Sequence, residues 1–160
     1  MRRTTALSIL TVLSVMTAGC GGAKAVTTAD FELVEELNGV TMTDSVSLEA
    51  EDDVLVGMTE VFVYDMTGTD EDTQDEIAAL YDGLVSDYQT VEGVVCNGSV
   101  SGEVYTISLD IEMESDTVDT LSELGMLGVL GVDGGDISYE MTKERMIENG
   151  YTLLDETVTE

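Results

Sequence analysis

Positions 40 to 50 alternate. Val40, Met42, Val46, Leu48 and Ala50 fall on one parity, and Thr41, Thr43, Ser45, Ser47 and Glu49 on the other. A repeat of two is that of a strand with one buried face. Asp44 is the one break, a carboxylate on the apolar parity. The clearest strand places Tyr105, Ile107, Leu109, Ile111 and Met113 against Thr106, Ser108, Asp110 and Glu112. Val54 to Met66, rich in Val, Phe, Tyr and Met, reads as a long and more deeply buried strand. Asn38-Gly39 and Glu51-Asp52-Asp53 read as turns. Gly93 to Met113 reads as a hairpin turning near Asn97-Gly98 or Ser101-Gly102.

The period changes after Asp70. Ile77, Leu80, Tyr81, Leu84 and Tyr88 fall on one helical stripe, with Thr69 or Asp70 as N-cap. Asp70, Glu71, Asp72, Asp75 and Glu76 crowd its first turns, where the helix dipole favours negative charge. Asp116 is the expected cap of a short helix with Val118, Leu121 and Leu124 inward. A last helix is expected from Thr142 as N-cap to Gly150 as C′, with Tyr151 folding back and Tyr151 to Leu154 as a final strand. Ordered structure is expected to begin near Phe31. These elements predict an α+β fold: a two-layer sandwich, an antiparallel sheet with helices packed on one face. The Tyr105 to Met113 stripe should then meet Ile77, Leu80, Tyr81 and Leu84.

The N-terminus follows a different logic. Met1-Arg2-Arg3 precedes Ala6 to Ala18, an uncharged run of the length of a signal-peptide core and too short to span a bilayer. Thr17-Ala18-Gly19-Cys20 then resembles the bacterial lipobox, where diacylglycerol is attached to the cysteine thiol before cleavage on its N-terminal side. Leu is preferred where Thr17 stands; Ala-Gly-Cys is intact. This divides the chain into a signal peptide (1–19), a lipidated N-terminus and tether (20–30) and one domain (31–160). No other segment is apolar for long enough to form a membrane helix. The expected address is outside the cytoplasm, anchored to the membrane through Cys20.

Charge narrows the partners. The chain holds 34 Asp and Glu against 5 Lys and Arg, a formal net charge of −29. Phosphate binding needs clustered bases, so nucleic acid is excluded, as is binding of anionic headgroups by the domain surface. The apolar positions are periodic, which argues for a folded domain with a hydrated acidic surface and against disorder. Scarce lysine beside abundant Asp, Glu, Thr and Val is also the composition of a high-salt habitat. Self-repulsion predicts that added sodium chloride raises the melting temperature; a value indifferent to salt would contradict it. Mild acidification should act in the same direction, by neutralising mutually repelled carboxylates.

Candidate chemistry is sparse. The chain has no histidine, which removes the commonest general base and transition-metal ligand. With Cys20 lipidated, Cys96 is the remaining thiol, without a histidine to activate it; a small buried residue is the expected role. Acidic runs occur at Glu49-Glu51-Asp52-Asp53, at Asp70 to Glu76, and at Asp110-Glu112-Glu114 with Asp116. They offer oxygen ligands for calcium, but no segment carries the full calcium-loop spacing, and Asp133-Gly134-Gly135-Asp136 is only a fragment of it. Solvated faces and helix starts are their expected roles. Gly125, Gly128, Gly131, Gly134 and Gly135 do not lead a strand into a helix with a lysine, as a phosphate loop would. Asn97-Gly98-Ser99 is formally a glycosylation sequon, to which the expected bacterial lipoprotein gives little weight.

The chain resembles the YehR-like family of small bacterial lipoproteins. The likeness rests on Cys20, Tyr88 with Val91-Glu92-Gly93-Val94, the strand Tyr105 to Glu112, Asp116 to Leu127, Ile137-Ser138, Thr142 and Gly150-Tyr151. It implies a two-layer α+β domain with no assigned catalytic residues. The expectation is a lipid-anchored binding or interaction domain without enzymatic activity, catalytic residues, cofactor or bound metal, its protein or envelope ligand open. A calcium- or cation-dependent envelope factor is the alternative, and a small carboxylate hydrolase a more distant one.

Overall fold

A computed structural model describes residues 24–125, 130, 132–133 and 136–159. The first three strands are β1 (Val26–Leu37), β2 (Val40–Glu51) and β3 (Val54–Asp65), each 12 residues long. Asn38 and Gly39 join the first two with positive φ (53° and 85°), the hairpin turn whose twist matches that of its strands. Helix α1 (Glu71–Tyr88) follows, then β4 (Val94–Ser101) and β5 (Val104–Glu112). Next come α2 (Ser115–Glu123), a two-residue pair β6 (Val132–Asp133) and β7 (Asp136–Ile137), α3 (Tyr139–Glu148) and β8 (Thr152–Thr159).

Among the described residues six strands form one sheet in the order β4-β5-β3-β2-β1-β8, antiparallel throughout. This corrects the expected α+β sandwich. Strands of 12, 12, 12, 8, 9 and 8 residues outweigh helices of 18, 9 and 10, so the chain is mostly β with small helices laid on the sheet. The difference arises at the chain ends. β1 starts at Val26, before the expected Phe31, and β8 runs on to Thr159. Val26 lies between Glu51 of β2 and Thr159 of β8, and Thr28 between Glu49 and Thr157, so the start of β1 is held on both sides and the polar end of β8 is held by β1.

One sheet face carries two apolar clusters. Phe31, Val46, Leu48 and Leu55 pack with Val118, Ile137, Tyr139 and Met146. Tyr105, Ile107, Leu109 and Ile111 pack with Val85, Tyr88, Val91 and Leu121. Leu80 departs from the expected stripe: it is 68% exposed, and the next turn supplies the buried Val85 instead. Leu124 is exposed as well. Among the described residues no helix is long and apolar enough to cross a membrane.

Helix ends account for several acids. Asp70 caps α1, accepting from the Thr73 N–H at 2.9 Å. Asp116 lies in the first turn of α2 and Glu114 is the N-cap residue. The N-cap of α3 is Ser138, whose Oγ accepts from the Met141 N–H at 3.2 Å, and Thr142 is buried within the helix. Asp53 strengthens this start, accepting from the Glu140 N–H at 2.9 Å and the Ser138 hydroxyl at 3.0 Å. The hairpin turns at Gly102-Glu103, one residue past the expected Ser101-Gly102, with Gly102 at φ 63°. Gly98 lies inside β4 because Tyr105 crosses it: a Cβ there would stand 2.7 Å from the Tyr105 hydroxyl.

Candidate functional site

Asp44, the break in the alternation, keeps its place on the covered face. It is 2% exposed. Its Oδ2 accepts a hydrogen bond from the Tyr151 hydroxyl, which the turn after α3 brings over the sheet. Its Oδ1 is buried and has no hydrogen-bond partner among the described residues. Burial pushes the Asp44 carboxyl up to about 6, against the opposing pull of the Tyr151 hydrogen bond.

The β2–β3 register sets a second acid beside it. Asp44 pairs Phe62 and Val46 pairs Glu60, so Glu60 shares the covered face. It is half-buried. Burial raises its carboxyl to about 8, with the Asp44 charge adding to the shift. Tyrosines crowd this part of the sheet. Tyr64 stacks on Tyr81 with ring centroids 4.1 Å apart, and burial lifts its hydroxyl far above the usual range. Tyr88 is pushed up to about 12, first by burial and then by the Glu60 charge. Tyr105 donates to Asp82 at 2.6 Å. On the other flank, Tyr139 and Lys143 of α3 both reach Glu156 of β8, the lysine at 2.6 and 2.8 Å from its two carboxylate oxygens.

The acidic runs of the sequence do not converge. Glu51 pairs with Lys24 at 3.0 Å, while Asp53 and Asp70 serve helix starts. Asp110 and Glu112 line a depression of about 290 Å³ with Gly93, Val94 and Val95. Among the described residues no three or more His, Cys, Asp or Glu side chains come together as metal ligands. Asp133 and Asp136 are register partners of a two-residue ladder. Gly134, Gly135, Gly128 and Gly131 lie outside the described residues, as does Cys20. Cys96 is buried, and burial raises its thiol above the ordinary value, away from the reactive thiolate.

Chemically, burial makes Asp44 and Glu60 each keep a proton more readily than an exposed carboxyl does. Glycoside hydrolysis needs two carboxyls flanking a substrate, and a carboxyl as enclosed as Asp44 is closed to one. Glu60 escapes a reading of the sequence because it sits within an apolar run, and only the strand register pairs it with Asp44.

No family model matches the chain, and no curated protein matches it. Solved structures do. The NMR structure of the E. coli YehR protein aligns over 78% of this chain and 89% of its own, at 14% identity and a TM-score of 0.56. The fold is YehR-like. The NMR structure of a protein from Streptococcus pneumoniae TIGR4 aligns over 96% of this chain and 99% of its own, at 12% identity and a TM-score of 0.53. At such identities the likeness is one of fold.

Proposed function

We propose that the chain is an exported bacterial lipoprotein of the YehR-like kind, whose small acidic domain serves as a binding module at the membrane surface without enzymatic activity. The observation that carries this reading is Thr17-Ala18-Gly19-Cys20 at the end of an uncharged apolar run behind Arg2-Arg3. One acyl chain holds a protein to a membrane only marginally, whereas diacylglycerol on Cys20 brings two and a stable anchor. The anchor also answers a need, since a domain of this charge is repelled by anionic headgroups. A binding role is favoured over catalysis by the enclosure of Asp44 and the inert setting of Cys96.

The expected result is that Cys20→Ser moves the protein from the membrane to the soluble fraction, and that globomycin blocks processing of the wild type. A variant that stays with the membrane, together with processing indifferent to globomycin, overturns the reading.

A further inference from the structure

Asp44 and Glu60 are diagonal neighbours on the β2–β3 ladder, on the same face of the sheet. Such positions are roughly 7–8 Å apart, within reach of long side chains. Among the described residues no cation is placed against them. Lys24 is bound to Glu51, Lys143 to Glu156, and Arg145 donates to the Leu130 carbonyl. The titratable groups around the pair are Tyr151 from the turn before β8, Tyr64 on β3 with Tyr81 of α1 against it, Tyr88 of α1, Cys96 of β4 and, next to Tyr151, Glu35 of β1. Among the described residues Asp44 Oδ1 lacks a donor, although its side chain is almost wholly enclosed. A buried acceptor left unpaired is costly, and two like charges on one covered face add to that cost.

We propose that Asp44 and Glu60 hold one proton between them, and that this proton keeps the turn between α3 and β8 fastened to the sheet, which makes closure of the domain pH-sensitive. With the proton in place the pair carries a single negative charge, and Asp44 accepts from Tyr151. When the proton leaves to water, both carboxylates are charged and the Tyr151 hydroxyl is the donor left to answer them. The strain falls on the Asp44–Tyr151 contact. β8 is the weak party there, an edge strand whose pairing with β1 shifts register between Asp30 and Phe31.

The pKa directions agree with the geometry. Both carboxyls are raised, Asp44 to about 6 and Glu60 to about 8, chiefly by burial. The folded state therefore holds more protons than the unfolded one. The stability linked to the pair is complete below the ordinary carboxylate range and is lost as pH rises through 6 to 8.

The test is amide hydrogen exchange in the full-length protein, held in detergent, between pH 6 and 9 and corrected for base catalysis. Protection across Thr152–Thr159, relative to β2 and β3, should fall by roughly tenfold or more in the wild type and stay level in Glu60→Gln. A level wild type, or an equal fall in both proteins, overturns the proposal. Should Glu60→Gln not fold, carboxyl carbon NMR of the wild type decides. Titration of Glu60 above pH 6 supports the shared proton, and titration below it overturns the proposal.

Discussion

Leu109→Ala should cost roughly 2 to 5 kcal/mol of unfolding free energy, the range for truncating an enclosed leucine. Leu109 is buried at the centre of β5 and stands between Glu60 of β3 and Cys96 of β4 on the covered face. The loss combines the transfer energy of the missing methyls with a cavity that two flanking strands and a helix cannot collapse into. Thr106, three residues earlier, lies on the opposite face and is half-buried. Thr106→Ala should cost well under half as much. Denaturant unfolding of the two variants measures both values, and equal costs would place the strand in the wrong register.

Gly93→Ala carries the second large effect, for two separate reasons. Gly93 has a φ of 81°, where an L residue costs roughly 1–2 kcal/mol. A Cβ there would also stand 2.4 Å from the Thr117 Oγ1, whose hydroxyl donates to the Glu92 carbonyl at 3.1 Å. That hydroxyl belongs to α2, so the clash forces either the helix or the start of β4 to move. The expected total is roughly 2 to 4 kcal/mol. The double variant Gly93→Ala with Thr117→Ala should recover the clash and keep the backbone cost. A single variant as stable as wild type would show that the turn relaxes freely.

Much of the sheet is legible in the sequence because its central strands have one wet face and one dry one. β2 and β5 announce themselves by parity, and the same parity marks Asp44 as out of place. What is not legible depends on partners distant in sequence. The start of β1 is fixed by pairing with β2 on one side and β8 on the other, and the end of β8 by pairing with β1; the short β-branched runs Val26-Thr27-Thr28 and Thr157-Val158-Thr159 do not show these partners by themselves. The start of α3 is obscured because Ser138 and Thr142 are both plausible caps until Asp53, 85 residues away, is seen to reinforce Ser138. Gly98 imitates a turn next to Asn97, when its smallness serves the passage of Tyr105. The helical stripe of α1 is rotated from the expected one because the helix lies over β4 and β5, bringing Val85 down and turning Leu80 outward. The candidate site is half legible for the same reason: Asp44 shows by itself, and Glu60 shows only through the register.

The two edges of the sheet are unequal. β8 places Asp155 and Glu156 in mid-strand, charges that discourage another strand from docking. β4 has no charged residue from Val94 to Ser101, and its Val95 and Val100 are 62% and 58% exposed. Gln89 occupies the Cys96 carbonyl at 2.9 Å. Colloidal behaviour then rests on the acidity of the molecule as a whole, which holds copies apart before their β4 edges can meet. Salt acts with opposite sign on the two levels. It relaxes the repulsion inside each domain and lowers the barrier between domains, so the condition that best preserves the fold is also the one that invites copies to join edge to edge.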